Sequence, residues 1–131
     1  MGGGVEGFAA AVELRDHFVE ALFALGAVLA DSGDPEEAKA LLAEAQRRRP
    51  NHAPTLYYLG KLAWKQKRIE ALDLLGRSVQ IESGNRQAHY LLSRIYTALG
   101  RKAEASRELE TVRRLAASAV QEEADIVASA R

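Results

Sequence analysis

The sequence predicts an all-α fold of repeated antiparallel helix pairs, and three observations carry that expectation. Ala, Leu, Glu and Arg dominate a chain of 131 residues that has only three prolines, and those four types are strong helix formers. The segment Leu22-Phe23-Ala24-Leu25-Gly26 returns after 34 residues as Leu56-Tyr57-Tyr58-Leu59-Gly60, and after 33 more, loosely, as His89-Tyr90-Leu91-Leu92-Ser93. Turn residues punctuate the chain between these recurrences.

The elements follow in order. Residues 1–4, Met1-Gly2-Gly3-Gly4, read as a linker outside the fold. Phe8, Ala11 and Leu14 stand 34 residues upstream of Leu42, Ala45 and Arg48, so 5–18 read as the second helix of a partial repeat, as in a piece cut from a longer array. In the first full unit, 19–52, Leu22, Leu25, Gly26 and Leu29 share one helical face. Ser32-Gly33-Asp34-Pro35 breaks the pattern. Asp34 is a suitable N-cap, Pro35 sits where a missing N–H costs nothing, and Glu36 and Glu37 suit the positive end of the helix dipole. Ala38 and Leu42 then carry the second helix, and Pro50-Asn51 closes the unit.

The second unit, 53–85, repeats the scheme with Leu56, Leu59, Gly60 and Ala63, then Ala71 and Leu75. Its internal turn, Gln66-Lys67-Arg68, is one residue shorter, and Ser83-Gly84-Asn85 closes it. The third, 86–118, carries Leu92, Ile95, Tyr96 and Leu99, a break at Gly100-Arg101, then Ala105 and Leu109. Ser118-Ala119-Val120-Gln121 has the form of a capping box. It predicts a terminal helix over 119–131 whose Ile126, Val127 and Ala130 cover the third unit while Glu122, Glu123 and Asp125 face water. One continuous helix from Lys102 to about Ser129 is the competing expectation. Counted this way, the chain has seven or eight helices. Gly26 and Gly60 lie inside helices at a cost of about 1 kcal/mol each, which points to close helix approach, with Ser93 the small substitute in the third unit.

Eighteen basic and eighteen acidic residues cancel, so no overall field draws the chain to nucleic acid or to a membrane. No apolar run reaches the roughly 18 residues of a bilayer span, and the start lacks the layout of a signal peptide. A soluble chain is expected. The absence of cysteine excludes disulfides and thiolate chemistry but leaves the compartment open, with the cytoplasm favoured.

No cofactor, metal or catalytic residue is expected. His17, His52 and His89 fall about one per unit, too far apart for ligands at helical i, i+4 spacing, and read as capping or interface residues. No phosphate-binding loop, nucleophile elbow or nucleophilic cysteine is present, so an enzyme is not expected. Arg47-Arg48-Arg49, the densest charge run, reads as the cationic end of a helix complementing its dipole.

With those residues in view, each unit resembles the tetratricopeptide repeat, whose pattern is W-x₂-L-G-x₂-Y, then A-x₃-F, then P. The first matches through Leu22, Leu25, Gly26, Leu29, Ala38, Leu42, Ala45 and Pro50. The second matches through Leu56, Leu59, Gly60, Ala63, Ala71, Leu75 and Ser78, with Ser83 where Pro is usual. The third matches through His89, Leu92, Ser93, Tyr96, Ala105, Leu109 and Val112, without the closing Pro. The resemblance implies a right-handed α-solenoid whose first helices line a concave groove, and a protein–protein interaction scaffold. On those helices it assigns Phe23, Tyr57, Tyr58, Lys61, Trp64, Lys65, Tyr90 and Arg94 to the groove, an aromatic and basic set suited to an acidic peptide. Trp64 reads equally well as filling the end of its helix. The Lys/Asn/Arg carboxylate clamp of the chaperone-tail-binding members is absent, since Phe23, Ala27, Tyr58, Gln87 and Leu91 occupy its positions. Two alternatives stand beside the scaffold: a structural module self-associating through Val5–Arg15 and Ala119–Arg131, and the regulatory part of an attached enzyme.

Overall fold

A computed structural model describes the backbone of residues 3–130, with the side chains of 7, 10, 11 and 13–130. Of the linker expected over residues 1–4, Gly3 and Gly4 belong instead to the first helix, and Met1, Gly2 and the packing expected of Phe8 lie outside the described residues. Six helices follow one another, α1 (Gly3–Ser32), α2 (Pro35–Arg48), α3 (Ala53–Lys65), α4 (Ala71–Ile81), α5 (Arg86–Ala98) and α6 (Lys102–Ser129), with no strand among the described residues.

The helix count corrects the expected seven or eight. Residues 5–18 and the first helix of the next unit form one helix, α1, and the terminal helix expected over 119–131 is the far end of α6. Neither junction holds a Gly or Pro: Arg15-Asp16-His17-Phe18 and Ala116-Ala117-Ser118-Ala119 are all tolerated in a helix. Extending an existing helix is far cheaper than nucleating another, so the Ser118 capping box lies inside a helix, unused.

The six helices form three hairpins, α1/α2, α3/α4 and α5/α6, whose internal turns share one device. Gly33, Lys67 and Gly100 have positive φ, at 103°, 60° and 77°. In each turn the next residue donates its backbone N–H five residues back: Asp34 to Leu29 (3.1 Å), Arg68 to Ala63 (2.9 Å) and Arg101 to Tyr96 (2.8 Å). This is the glycine-type helix stop that satisfies orphan carbonyls. Lys67 takes the glycine position in the second hairpin and lays its Nζ 5.6 Å from the Trp64 ring centre. The missing residue of that turn lies between Lys67 and Ala71, and α4 begins without a side-chain cap.

The side chain of Asp34 caps α2 by accepting from Glu37 N at 3.3 Å. Asp34→Ala is expected to cost about 1 kcal/mol, read as a lower urea midpoint at unchanged m-value.

Packing follows the repeat. Ala30, Ala38, Leu42, Leu59 and Leu62 are buried together between the first two hairpins, with Phe23, Leu29, Tyr58 and Leu74 against them. Ala63, Ala71, Leu75, Leu92 and Ile95 form the equivalent core between the second and third. Gly26 and Gly60 hold the hairpins closed: a Cβ at either would lie 2.8 Å or 2.7 Å from Cγ of Leu42 or Leu75. First helices touch along the stack, α1 with α3 and α3 with α5, whereas α2, α4 and α6 do not approach one another. The stack therefore curves with α1, α3 and α5 on its inner face.

Two polar joints tie helices together, the first between the first two hairpins and the second within the third. His52 Nδ1 meets Thr55 Oγ1 at 2.6 Å and its Nε2 meets Glu20 Oε1 at 3.0 Å. His89 Nδ1 meets Glu108 Oε2 at 2.6 Å, and its Nε2 lies 2.9 Å from the Ser83 carbonyl. Both rings are buried and every polar atom is partnered, as buried polar groups must be.

Candidate binding groove

The inner face presents a cleft of about 360 Å³ between α3, α5 and α6. Its walls follow from helical spacing. On α3, Tyr57 and Lys61 are four residues apart and point the same way; on α5, Arg86, Tyr90 and Arg94 form an i, i+4, i+8 stripe about 12 Å long. Val112 of α6 and Leu91 of α5 give an apolar floor. A second hollow of about 410 Å³ continues past Tyr90 and Arg94 toward Ser93, Thr97 and Leu109.

The cleft is cationic. It is lined by Lys61, Arg86 and Arg94 and by no carboxylate. Lys61 leans on Asp31 of α1 at 3.3 Å; Arg86 and Arg94 form no ion pair among the described residues. Burial pushes the Tyr57 phenol above its usual pKa, against the opposing pull of the Lys61 ammonium, so at neutral pH it offers a neutral O–H.

Of the eight residues assigned to the groove from the sequence, Tyr57, Lys61, Tyr90 and Arg94 line this cleft. The other four are placed differently. Phe23 and Tyr58 pack against the first core, their rings edge-on at 5.6 Å, and Phe23 also meets His52 at 5.3 Å. Trp64 packs against the second core. Lys65 is exposed outside the cleft. Arg86, which directly follows the Ser83-Gly84-Asn85 turn and so falls outside the repeat pattern, also lines the cleft, eight residues before Arg94 on the same helical face.

The triple-arginine run makes no patch of its own. Arg47 and Arg48 both grip Glu44 on their own helix, Arg48 also lies over the Phe18 ring at 4.6 Å, and Arg49 reaches Glu20 at 3.6 Å. Among the described residues, no three His, Cys, Asp or Glu side chains gather closely enough for a metal, and no helix is long and apolar enough to cross a membrane.

Sequence profiles of the tetratricopeptide repeat match residues 19–62 and 65–123, together well over half of the chain. The chain belongs to the tetratricopeptide repeat family. Solved tetratricopeptide folds agree with the stacked hairpins. A crystal structure of MamA superposes with a TM-score of 0.69 at 23% identity, over 86% of this chain and 67% of that one. The second tetratricopeptide repeat domain of Spaghetti (RPAP3), bound to the HSP90 peptide SRMEEVD, gives 0.71 at 18% identity, over 79% of this chain and 98% of that one. At these identities the likeness establishes the fold alone. No curated protein matches the sequence significantly.

Proposed function

We propose that this chain is a non-catalytic interaction scaffold that holds an acidic segment of a protein partner in the α3–α5–α6 cleft. The observation that carries this reading is the charge of the cleft: Arg86 and Arg94 form no ion pair among the described residues, Lys61 stands beside them with Asp31 as its partner, and no carboxylate lines the walls, on a chain with formal net charge +0. Local excess of one sign in a concave, partly apolar site concentrates ligands of the other sign. Tyr57 and Tyr90 add amphipathic contact area of the kind that dominates binding hot spots. The Spaghetti neighbour, with the same fold, is bound to a peptide with three acidic residues. The absence of the carboxylate clamp argues against carrying over chaperone tails as the partner.

On this reading the scaffold is a right-handed solenoid with units at 19–52, 53–85 and 86–118, with 5–18 as the second helix of a partial repeat; Ile126 and Val127, expected to cover the third unit, are instead 68% and 53% exposed at the end of α6.

The test is fluorescence anisotropy with a labelled acidic peptide and its lysine counterpart. The acidic peptide is expected to bind with a salt-dependent Kd. Lys61→Glu and Arg94→Glu are each expected to weaken it about tenfold or more, the scale of one lost charge-assisted hydrogen bond, with helical circular dichroism unchanged. Equal affinity for both peptides, or variants that bind like the parent, would remove the groove model.

A further inference from the structure

The two ends of the stack carry the two halves of one interface. Between the first and second hairpins, Leu59 and Leu62 of α3 are buried with Ala38 and Leu42 of α2. Between the second and third, Leu92 and Ile95 of α5 are buried in the same way with Ala71 and Leu75 of α4. The residues of α1 that stand at these positions, 34 before Leu59 and Leu62, are Leu25 and Val28. With no hairpin against them, they are 52% and 63% exposed.

The far end of the stack has the matching hollow. Tyr90 and Thr97 of α5 and Leu109 of α6 stand 33 or 34 residues after Tyr57, Trp64 and Leu75, which meet the third hairpin in the second core. No described helix lies beyond the third hairpin, and there Tyr90, Thr97 and Leu109 line the open hollow of about 410 Å³. Leu109 is half-buried, whereas its counterparts Leu42 and Leu75 are fully buried. Arg94 also reaches this hollow but is exposed, so its stem can cover an apolar neighbour while its charge stays in water. A solenoid that stands alone closes its ends with polar faces. Here one end offers apolar side chains and the other the site that receives them.

We infer that a second copy of this chain stacks end to end on the first, its α1 setting Leu25 and Val28 against Leu109 and Thr97 as α5 sets Leu92 and Ile95 against Leu75 and Trp64. The copy seats in the hollow beyond Tyr90 and not in the α3–α5–α6 cleft, so the contact is independent of peptide binding there. The two faces differ and lie at opposite ends of the molecule, which makes the interface heterologous: every added copy leaves a free face at each end, and growth does not close. Its contact is apolar. The unpaired ends of α1 and α6 project from the same side of their hairpins and are both acidic, with Glu6, Glu13 and Asp16 against Arg15 in 5–18 and Glu122, Glu123 and Asp125 without Lys or Arg in 115–130. Stacking brings these like charges closer. Added salt screens them and strengthens the association, the reverse of its effect on an acidic peptide in the cleft.

Sedimentation velocity of three full-length proteins tests this. The parent is expected to show a weight-average size that rises with concentration past that of a dimer, more steeply in high salt. Leu25→Glu with Val28→Glu blocks the α1 face, and Thr97→Glu with Ala98→Glu blocks the hollow. All four positions are exposed, so both variants should keep the helical circular dichroism of the parent. Each variant alone is expected to be monomeric. Mixed in equal amounts they have one sound face apiece, and the expected product is a dimer and nothing larger. A parent that stays monomeric or stops at a dimer, a variant that associates like the parent, a mixture that stays monomeric or grows past a dimer, or association abolished by salt would each overturn the inference. Binding of the labelled acidic peptide by a monomeric parent would refute the stacking and leave the groove reading standing.

Discussion

Gly60→Val is expected to destabilise the protein by about 3 kcal/mol, the upper part of the range for overpacking a tight core. A Cβ at position 60 would lie 2.7 Å from Leu75 Cγ, 3.0 Å from its Cδ2 and 3.4 Å from Leu74 Cβ. Leu75 is fully buried and surrounded by the second core, so it has nowhere to move without displacing Leu92 or Ile95. Helix propensity opposes the loss only weakly, since valine is a better helix former than glycine by a few tenths of a kcal/mol. Thermal unfolding should show the change as a midpoint lowered by roughly 10 °C. The control is in the facing helix. A Cβ at Gly76 of α4 meets nothing within 4 Å, so Gly76→Ala is expected to gain up to about 1 kcal/mol from propensity alone. If both substitutions moved stability in the same direction, close packing would not be the reason for glycine at position 60.

Leu75→Ala is expected to cost about 3 kcal/mol, within the usual range for a leucine deleted from a packed core. More telling is its coupling to position 60. Gly60→Ala alone sets a helix gain of about 1 kcal/mol against a clash of somewhat more, for a net loss. In the Leu75→Ala background the atoms it would strike are gone, and the new methyl enters the vacated space. The double variant should therefore be more stable than the sum of the singles predicts, by about 1 kcal/mol or more, the scale of coupling between residues in contact. Urea denaturation of the four proteins measures it. Simple additivity would show that glycine is not there to admit the leucine.

Much of this architecture is legible in the sequence because its causes are local. Leu29, Ala63 and Tyr96 recur on the same face and each accepts the same turn bond. The stops at Gly33 and Gly100 need positive φ, and Asp34 with Pro35 marks a helix start whatever surrounds it. Gly26 and Gly60 announce a close approach because nothing else offsets their helix cost. The paired periods of leucine and alanine identify the buried Leu42 and Leu75, whereas Leu25 and Leu99, expected on packing faces, are 52% and 41% exposed because no neighbouring helix reaches them.

The groove was only half legible. Helical spacing separates faces, but an inner helix such as α3 packs against α1, α4, α2 and α5 at once. Most of its surface is claimed by some neighbour, and spacing cannot say by which. Tyr57 and Tyr58 are adjacent in sequence, yet one lines the cleft and the other packs on the first core. Trp64 is half-buried against the second core, and so is Tyr57, which also lines the cleft.

The sequence by itself determined the helical class, the repeat and the turns inside its hairpins, because each depends on dihedral preference, capping or periodicity within a few tens of residues. Only the tertiary structure decided that α1 and α6 run unbroken, that His52 and His89 meet Glu20 and Glu108, and that Arg86 joins Lys61 and Arg94 around one cleft. Those outcomes depend on how the hairpins curve against one another. That curvature is set by the sum of many side-chain contacts between helices and leaves no periodic mark on the chain.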